Sequence, residues 1–300
     1  MTGVHATVML GETLAAIAPR SGGLYCDATL GRGGHAEAIL EASAPDGTLI
    51  AIDRDLTAIE ESRERLARFG QRVQFVHGRF GDVRPLLQQA GAGLLDGLVA
   101  DLGVSSPQLD EASRGFSFRQ EGPLDMRMDR SQGRTARELI ADLSERELAD
   151  VIYQYGEERR SRPIARSIKQ AEERGELETT ADLRRACVRV LGPARGGIDP
   201  GTRTFQALRI AVNEELGELD ALLAALPHVL ADEGVAVVIS FHSLEDRAVK
   251  LALRQSSTLA PLTKKPVVAG DEESGSNPRS RSAKLRAARR IAREGSEVRA

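Results

Sequence analysis

The sequence predicts an α/β protein, a doubly wound parallel sheet interrupted by an all-helical segment, and three observations carry that prediction. From Leu24 to Leu102, short apolar runs alternate with helical stretches at the spacing of βαβ units. The first run leads directly into Asp27-Ala28-Thr29-Leu30-Gly31-Arg32-Gly33-Gly34-His35, a glycine turn between strand and helix of the kind that cradles a nucleotide. From Thr135 to Leu191, strand-like runs give way to an almost wholly helical pattern.

Each element follows from its residues. Gly11 to Ile17 forms a short helix that packs ahead of the sheet. Leu24 to Leu30 is the first strand, and His35 to Ala42 restores helical propensity after the glycines. The alternation continues with strand Thr48 to Ile52 closed by Asp53, helix Leu56 to Phe69, strand Val73 to His77, helix Val83 to Ala90 and strand Leu94 to Leu102. Val104 to Asp129 has no clean period and reads as loop. Helices follow at Ala136 to Leu143, Glu145 to Tyr155, Arg162 to Arg174 and Thr180 to Leu191, with Ser144 and Thr180 as N-caps. Gly192-Pro193 and Gly196-Gly197-Ile198-Asp199-Pro200-Gly201 mark the end of this segment.

The sheet then resumes with a long helix from Arg203 to Leu226, a buried strand from Gly234 to Phe241 and a helix from Leu244 to Arg254. Ala260 to Asn277 reads as flexible, and Ala283 to Ile291 as an edge strand or a helix. The expected organisation is a discontinuous core, residues 1–108 and 201–300, with a helical insertion at residues 109–200.

Three hundred residues with 41% hydrophobic content allow a real core. Cys26 and Cys187 are the only cysteines, too few for a disulfide framework and not in metal-ligand spacing, so no metal is expected and the compartment reads as cytoplasmic. Residues 1–23 lack a signal peptide's pattern, and no stretch is long enough to cross a bilayer. A formal net charge of −3 argues against a generally basic coat, yet six arginines lie between Ser113 and Arg137 and seven basic residues between Arg279 and Arg293. Aromatics are only 3%, which excludes broad stacking platforms for single strands.

The loop and Asp53, an acid after the second strand that can hold a ribose, fit nicotinamide dinucleotides and S-adenosylmethionine alike. Two details favour the second. Ala36 stands where a dinucleotide fingerprint carries its third glycine, and Asp27, four residues before the glycines, suits a cofactor whose ammonium needs a partner.

Longer stretches then make the chain comparable to one family. DATLGRGGH, AIDRD at 51–55, DLGVSSPQLD at 101–110, RGFSF at 114–118, GPLDMRMD at 122–129, YGEER at 155–159, TRTFQALRIAVN at 202–213 and SFHSLEDR at 240–247 occur in family order. Together they resemble the bacterial small-subunit ribosomal RNA cytosine-N4 methyltransferases, the RsmH or MraW family. The resemblance implies a Rossmann-like class I methyltransferase fold, S-adenosyl-L-methionine as cofactor, 16S ribosomal RNA of the small subunit as partner and a decoding-centre (P-site) cytidine as target. It leaves a homodimer open. The cofactor positions it implies are Gly33, Gly34, His35, Asp53, Phe80, Asp101 and Gln108.

Asp53 reads otherwise as a cap for the following helix, Phe80 as core and His35 as a helix-start residue. Many amino-methyltransferases follow the fourth strand with Asp/Asn/Ser-Pro-Pro-aromatic, whereas this chain has Asp101-Leu102-Gly103-Val104 and Ser105-Ser106-Pro107-Gln108, with no aromatic in the last place. Asp101 is the expected catalytic residue. For the substrate, Phe118 or Phe116 is expected to stack on an extruded cytosine, with Arg114 and Arg127 on phosphates; the plain alternative is that these rings anchor the loop. His242 reads as cleft architecture, and the arginine-rich tail as a phosphate contact beside an RNA enzyme. The competing readings are a nicotinamide-dependent oxidoreductase, for which no hydride-relay pair is evident, and a non-enzymatic RNA-binding assembly factor, against which Asp53, Asp101 and the glycines speak.

Overall fold

The computed structural model describes residues 7–194 and 197–292, without the side chains of residues 106 and 107. The chain divides into two compact units, residues 1–103 with 216–300, and residues 104–215. In chain order the first unit runs α1 (Leu10–Ile17), β1 (Leu24–Asp27), α2 (Gly34–Ala42), β2 (Thr48–Asp53), α3 (Leu56–Leu66), β3 (Val73–His77), α4 (Val83–Gln89) and β4 (Leu95–Asp101). The second carries α5 (Ser106–Asp110), α6 (Ala136–Asp142), α7 (Glu145–Gly156), α8 (Ser161–Glu173), α9 (Thr180–Leu191) and α10 (Thr202–Asn213). The sheet unit is completed by α11 (Glu215–Val229), β5 (Leu230–Ser240), α12 (Ser243–Gln255), β6 (Leu259–Pro261), α13 (Asp271–Ser276) and β7 (Lys284–Arg290).

The seven strands lie in the order β3-β2-β1-β4-β5-β7-β6. The β1 to β5 pairings are parallel, and β7 runs antiparallel to both of its neighbours. Apolar residues on both faces explain the near-continuous hydrophobic runs of these strands. Along β1, Tyr25 enters one core with Leu49, Val99 and α2, while Cys26 enters the other with Ile50, Leu98 and α11. Strand order reverses between β1 and β4, and the crevice beyond the carboxyl ends at such a reversal is where sheets of this class bind ligands.

Several elements differ from expectation for local reasons. The long helix expected from Arg203 to Leu226 is two, α10 and α11, separated at Glu214 in left-handed conformation (φ +54°). The apolar stripe stays in phase across that break, so periodicity does not reveal it. Ala260 to Asn277 is not featureless, since it holds β6 and α13, and Val267 exchanges backbone hydrogen bonds with Leu285. The Ala283 to Ile291 stretch is a strand but an interior one, paired on both sides. The cap of α9 is Thr179, whose hydroxyl accepts from Asp182 N–H, one residue before the expected Thr180; Ser144 caps α7 as expected. Residues 4–6, Gly196 and Arg293, part of the sequence reading, lie outside the described residues.

The helical unit has its own core, in which Ile140, Leu148, Ile152, Ile164, Ile168, Leu183 and Leu208 are buried. The irregular segment before α6 is anchored into it by Leu124, Met126 and Met128. Asn213 closes the arrangement: its Nδ2 donates to Met126 O (2.7 Å) and its Oδ1 accepts from Met128 N–H (2.8 Å). No described helix is long and apolar enough to cross a membrane.

Candidate active site

Three carboxylates stand at or near the carboxyl ends of adjacent strands in the sheet unit: Asp27 on β1, Asp53 on β2 and Asp101 on β4. Between them passes the glycine loop. Gly31 (φ +50°) and Gly33 (φ +72°) take left-handed backbone that a side chain would strain. A Cβ on Gly34 would collide with the Thr7 hydroxyl, so a larger residue here requires Thr7 to shift. Asp53 fixes the loop, its Oδ2 accepting from Gly31 N–H and its Oδ1 from Asp55 N–H, both at 2.8 Å. The cap of α3 is Asp55, which accepts from Thr57 N–H. Asp53 therefore serves the loop rather than the helix. Thr29 ties the loop to β4, its hydroxyl accepting from Asp101 N–H at 2.6 Å.

The electrostatics of this cluster are unusual for groups that only stabilise a fold. Asp27 is 1% exposed; its Oδ1 accepts from Thr29 N–H at 3.2 Å and its Oδ2 is buried without a partner. Burial pushes its pKa up to about 7, with the charges of Asp101 and Asp53 adding to the rise. Burial likewise lifts Asp101 to about 7 against the pull of the Arg279 guanidinium, with Glu245 adding to the rise, and its Oδ1 also lacks a partner. Asp53 is raised to about 6 by burial, offset in part by its two backbone N–H donors. His35 is buried with neither ring nitrogen hydrogen-bonded, and burial holds its pKa down at about 4, so the ring is neutral. Its Nε2 lies 4.0 Å from Asp101 Oδ2, beyond hydrogen-bond reach.

Orphaned buried polar atoms are rare enough in folded proteins that each needs an explanation. Those of Asp27, His35 and Asp101 gather at this cluster, and the chemistry of the two carboxylates selects a ligand that brings positive charge and hydrogen-bond donors. S-adenosylmethionine has a positive sulfonium, an ammonium and two ribose hydroxyls, and so fits the donor-poor, acceptor-rich cluster.

The other sequence-predicted residues fall in different places. Phe80 opens a short turn after β3 and packs against the core cluster containing Val83 and Leu219; Glu218 holds the turn, accepting from Gly81 N–H at 3.0 Å and pairing with Arg79. Gln108 belongs to the helical unit, where its Oε1 accepts from Ser105 N–H. Arg114, expected on a phosphate, is only 5% exposed, and its guanidinium donates to the carbonyls of Arg127 and Met128; buried on those carbonyls, it is a brace for its own loop. Arg127 grips Asp125 through Nε and Nη2 at 2.7 and 3.0 Å. Phe116 is buried, and Phe118 meets Phe205 edge-on with centroids 5.1 Å apart, under the Arg184 guanidinium. Each of these contacts anchors the loop within its own unit. Phe118→Ala should consequently lower stability by about 2 kcal/mol, measured by thermal unfolding.

His242 caps α12, its Nδ1 accepting from Glu245 N–H while Glu245 reaches back to Phe241 and His242 N–H. Both cysteines are buried, their thiols pushed up chiefly by burial. In the basic tail, Arg286 pairs with Asp246, Arg289 with Glu233 and Arg290 with Asp232. Arg279 is the residue that the sequence reading missed. It lies over the Phe241 ring at 5.4 Å and acts on Asp101, and only its place at the head of the arginine run hinted at it.

The sheet order, the positive-φ glycine loop and the strand-end carboxylates define a Rossmann-like class I S-adenosylmethionine-dependent methyltransferase. The sequence profile of the MraW methylase family matches residues 2–291. Relatives named "Ribosomal RNA small subunit methyltransferase H" include one from Sorangium cellulosum, 62% identical over 96% of this chain and 91% of that one. Another, from Geotalea uraniireducens, is 50% identical over 96% and 98% of the two chains. Among solved structures, an rRNA methylase from Streptococcus thermophilus is similar at a TM-score of 0.43 and 8% identity, covering 94% of this chain and 92% of that one, a likeness too distant to bear on function. The chain belongs to the MraW methylase family.

Proposed function

We propose that this protein transfers a methyl group from S-adenosyl-L-methionine to N4 of a decoding-centre, P-site cytidine in 16S ribosomal RNA, in the cytoplasm. Methylation of small-subunit ribosomal RNA is the activity that its family and its relatives' names support. The observation that carries the site assignment is the pair of orphaned, buried carboxylate oxygens on Asp27 and Asp101 beside the glycine loop.

When bound, S-adenosylmethionine supplies an electrophilic methyl group on a cationic sulfur. The protein's part is to hold it and to prepare the acceptor. Asp27 offers a carboxylate to the ammonium, Asp53 to the ribose hydroxyls, and Phe80 an apolar surface for adenine. Gly33 and Gly34 let the backbone approach closely, and neutral His35 closes the loop side. Gln108 is a further donor position that the family resemblance implies. The cytosine amine is a poor nucleophile because its lone pair is delocalised into the ring. Asp101, accepting one amino hydrogen, favours a more tetrahedral nitrogen with the lone pair localised, and alignment supplies the rest. The proton leaves to water after transfer, so no dedicated base is required. Recognition of RNA is assigned to the helical unit as a whole, rather than to Arg114, Phe118 or Arg127.

The test is mass spectrometry of small-subunit RNA incubated with the protein and isotopically labelled S-adenosylmethionine. N4-methylcytidine at a single decoding-centre position is the expected product; label at another atom, or none, contradicts the assignment.

A further inference from the structure

On the far part of α12, an open pocket of about 400 Å³ is lined by Lys250 and Arg254 from the helix, Thr263 and Lys264 from the segment after β6, and Arg286 from β7. Leu253 and Ala287 supply apolar lining, and no acid lines it. All of these residues lie in the sheet unit.

The lining cations are of two kinds. Arg286 is paired with Asp246, which also holds Lys284. The side chains of Lys250, Arg254 and Lys264 make no hydrogen bond or ion pair to any described residue. Lys250 and Arg254 stand four apart on one helix face, a like-charge spacing that works against the helix. Lysines beside an edge strand are a common guard against strand pairing, which would account for Lys264 alone. It does not account for two helix cations converging on the same concave, acid-free pocket.

We propose that this pocket binds the phosphodiester backbone of the RNA substrate, as a positioning site separate from the carboxylate cluster. The proposal rests on the RNA-methyltransferase reading. Eight to twelve residues of helix separate His242 from Lys250 and Arg254, or roughly 12–18 Å along the axis, so the pocket grips RNA away from the reacting base. Such contacts fix orientation without reading sequence.

The test is binding of small-subunit RNA by the full chain across a range of salt concentrations. The parent is compared with a Lys250→Gln/Arg254→Gln/Lys264→Gln variant and with an Arg289→Gln/Arg290→Gln control whose arginines are already paired. Losing three phosphate contacts should flatten the slope of log affinity against log salt by about 2 and weaken binding roughly 100-fold near 0.1 M salt. The control should keep the parent slope, and S-adenosylhomocysteine binding should be unchanged in all three proteins. An unchanged slope in the triple variant, or equal flattening in the control, overturns the proposal. So does loss of binding to phosphatidylglycerol vesicles with RNA binding intact, which assigns the pocket to a membrane surface. If the parent methylates RNA and the triple variant keeps its slope, the pocket proposal alone fails; a parent that neither binds nor methylates RNA removes both.

Discussion

An Asp101→Asn protein should unfold at or above the parent's melting temperature and yet transfer methyl groups at least about 100-fold more slowly. Both halves follow from the same carboxylate. Asp101 is held with one oxygen unpartnered, and burial raises its pKa to about 7. Even with the Arg279 guanidinium acting on it, this buried carboxylate is penalised when ionised, and a neutral amide of the same shape is not. The substitution therefore relieves the fold while removing the acceptor proposed for the cytosine amine. The pH dependence has a definite sign. An acid whose folded pKa lies near 7 and whose unfolded value is near 3.8 binds more protons folded than unfolded between those values. Its contribution to stability falls as pH rises through that window and the penalty is complete above about 7. The variant's advantage in melting temperature should thus grow from pH 5 to pH 8. A variant that loses stability and activity together would instead make Asp101 a structural residue.

Asp53→Ala should weaken S-adenosylhomocysteine binding by about 100-fold while changing stability by less than about 1 kcal/mol. Two backbone N–H groups, on Gly31 and Asp55, lose their acceptor, and each such loss costs on the order of 1–3 kcal/mol when the donor stays buried. Opposing this, a carboxylate raised to about 6 by burial is itself unfavourable when ionised. The two effects offset in the fold but not in the site, where the loop loses its anchor and the ribose its partner. Titration calorimetry beside thermal unfolding separates the two quantities. A large fall in stability with little change in affinity would show that Asp53 serves only the loop.

The sheet was legible because its strands and helices obey local rules. Alternating apolar runs located β1 to β4 to within a few residues, and the glycines with Asp53 located the loop. What was not legible depended on partners distant in sequence. The break at Glu214 is a backbone conformation inside a continuous apolar stripe. The strand β7 is decided by its pairing with Val235 to Ser240, some fifty residues earlier. The same limit applied to the site. Arg114, Arg127 and Phe118 have the right chemistry for RNA, but a sequence does not show that their guanidiniums and ring are already committed to Met128, Asp125 and Phe205. Arg279 was invisible for the converse reason, since its proximity to Asp101 arises only when the C-terminal segment returns to the sheet. Helix capping shows the boundary between the two cases: Ser144 with Glu147 is readable as a local pair, while Thr179 and Thr180 differ only in which one the chain turns at.

Asp27 and Asp101 hold protons near neutrality in the free protein, and on the proposed function the positive charge of the bound methyl donor drives both to the carboxylate form, Asp27 to hold the ammonium and Asp101 to accept from the cytosine amine. Calorimetry of S-adenosylmethionine binding, in two buffers of different ionisation enthalpy and without RNA, tests it most directly. A cation beside these carboxylates lowers their pKa values from about 7, so binding should release protons between pH 6 and 7.5 and stop doing so above about pH 8.5. Asp27→Asn and Asp101→Asn should each reduce that release. Tight binding with no proton release anywhere between pH 6 and 8 would contradict the assignment of these carboxylates to the donor's charge.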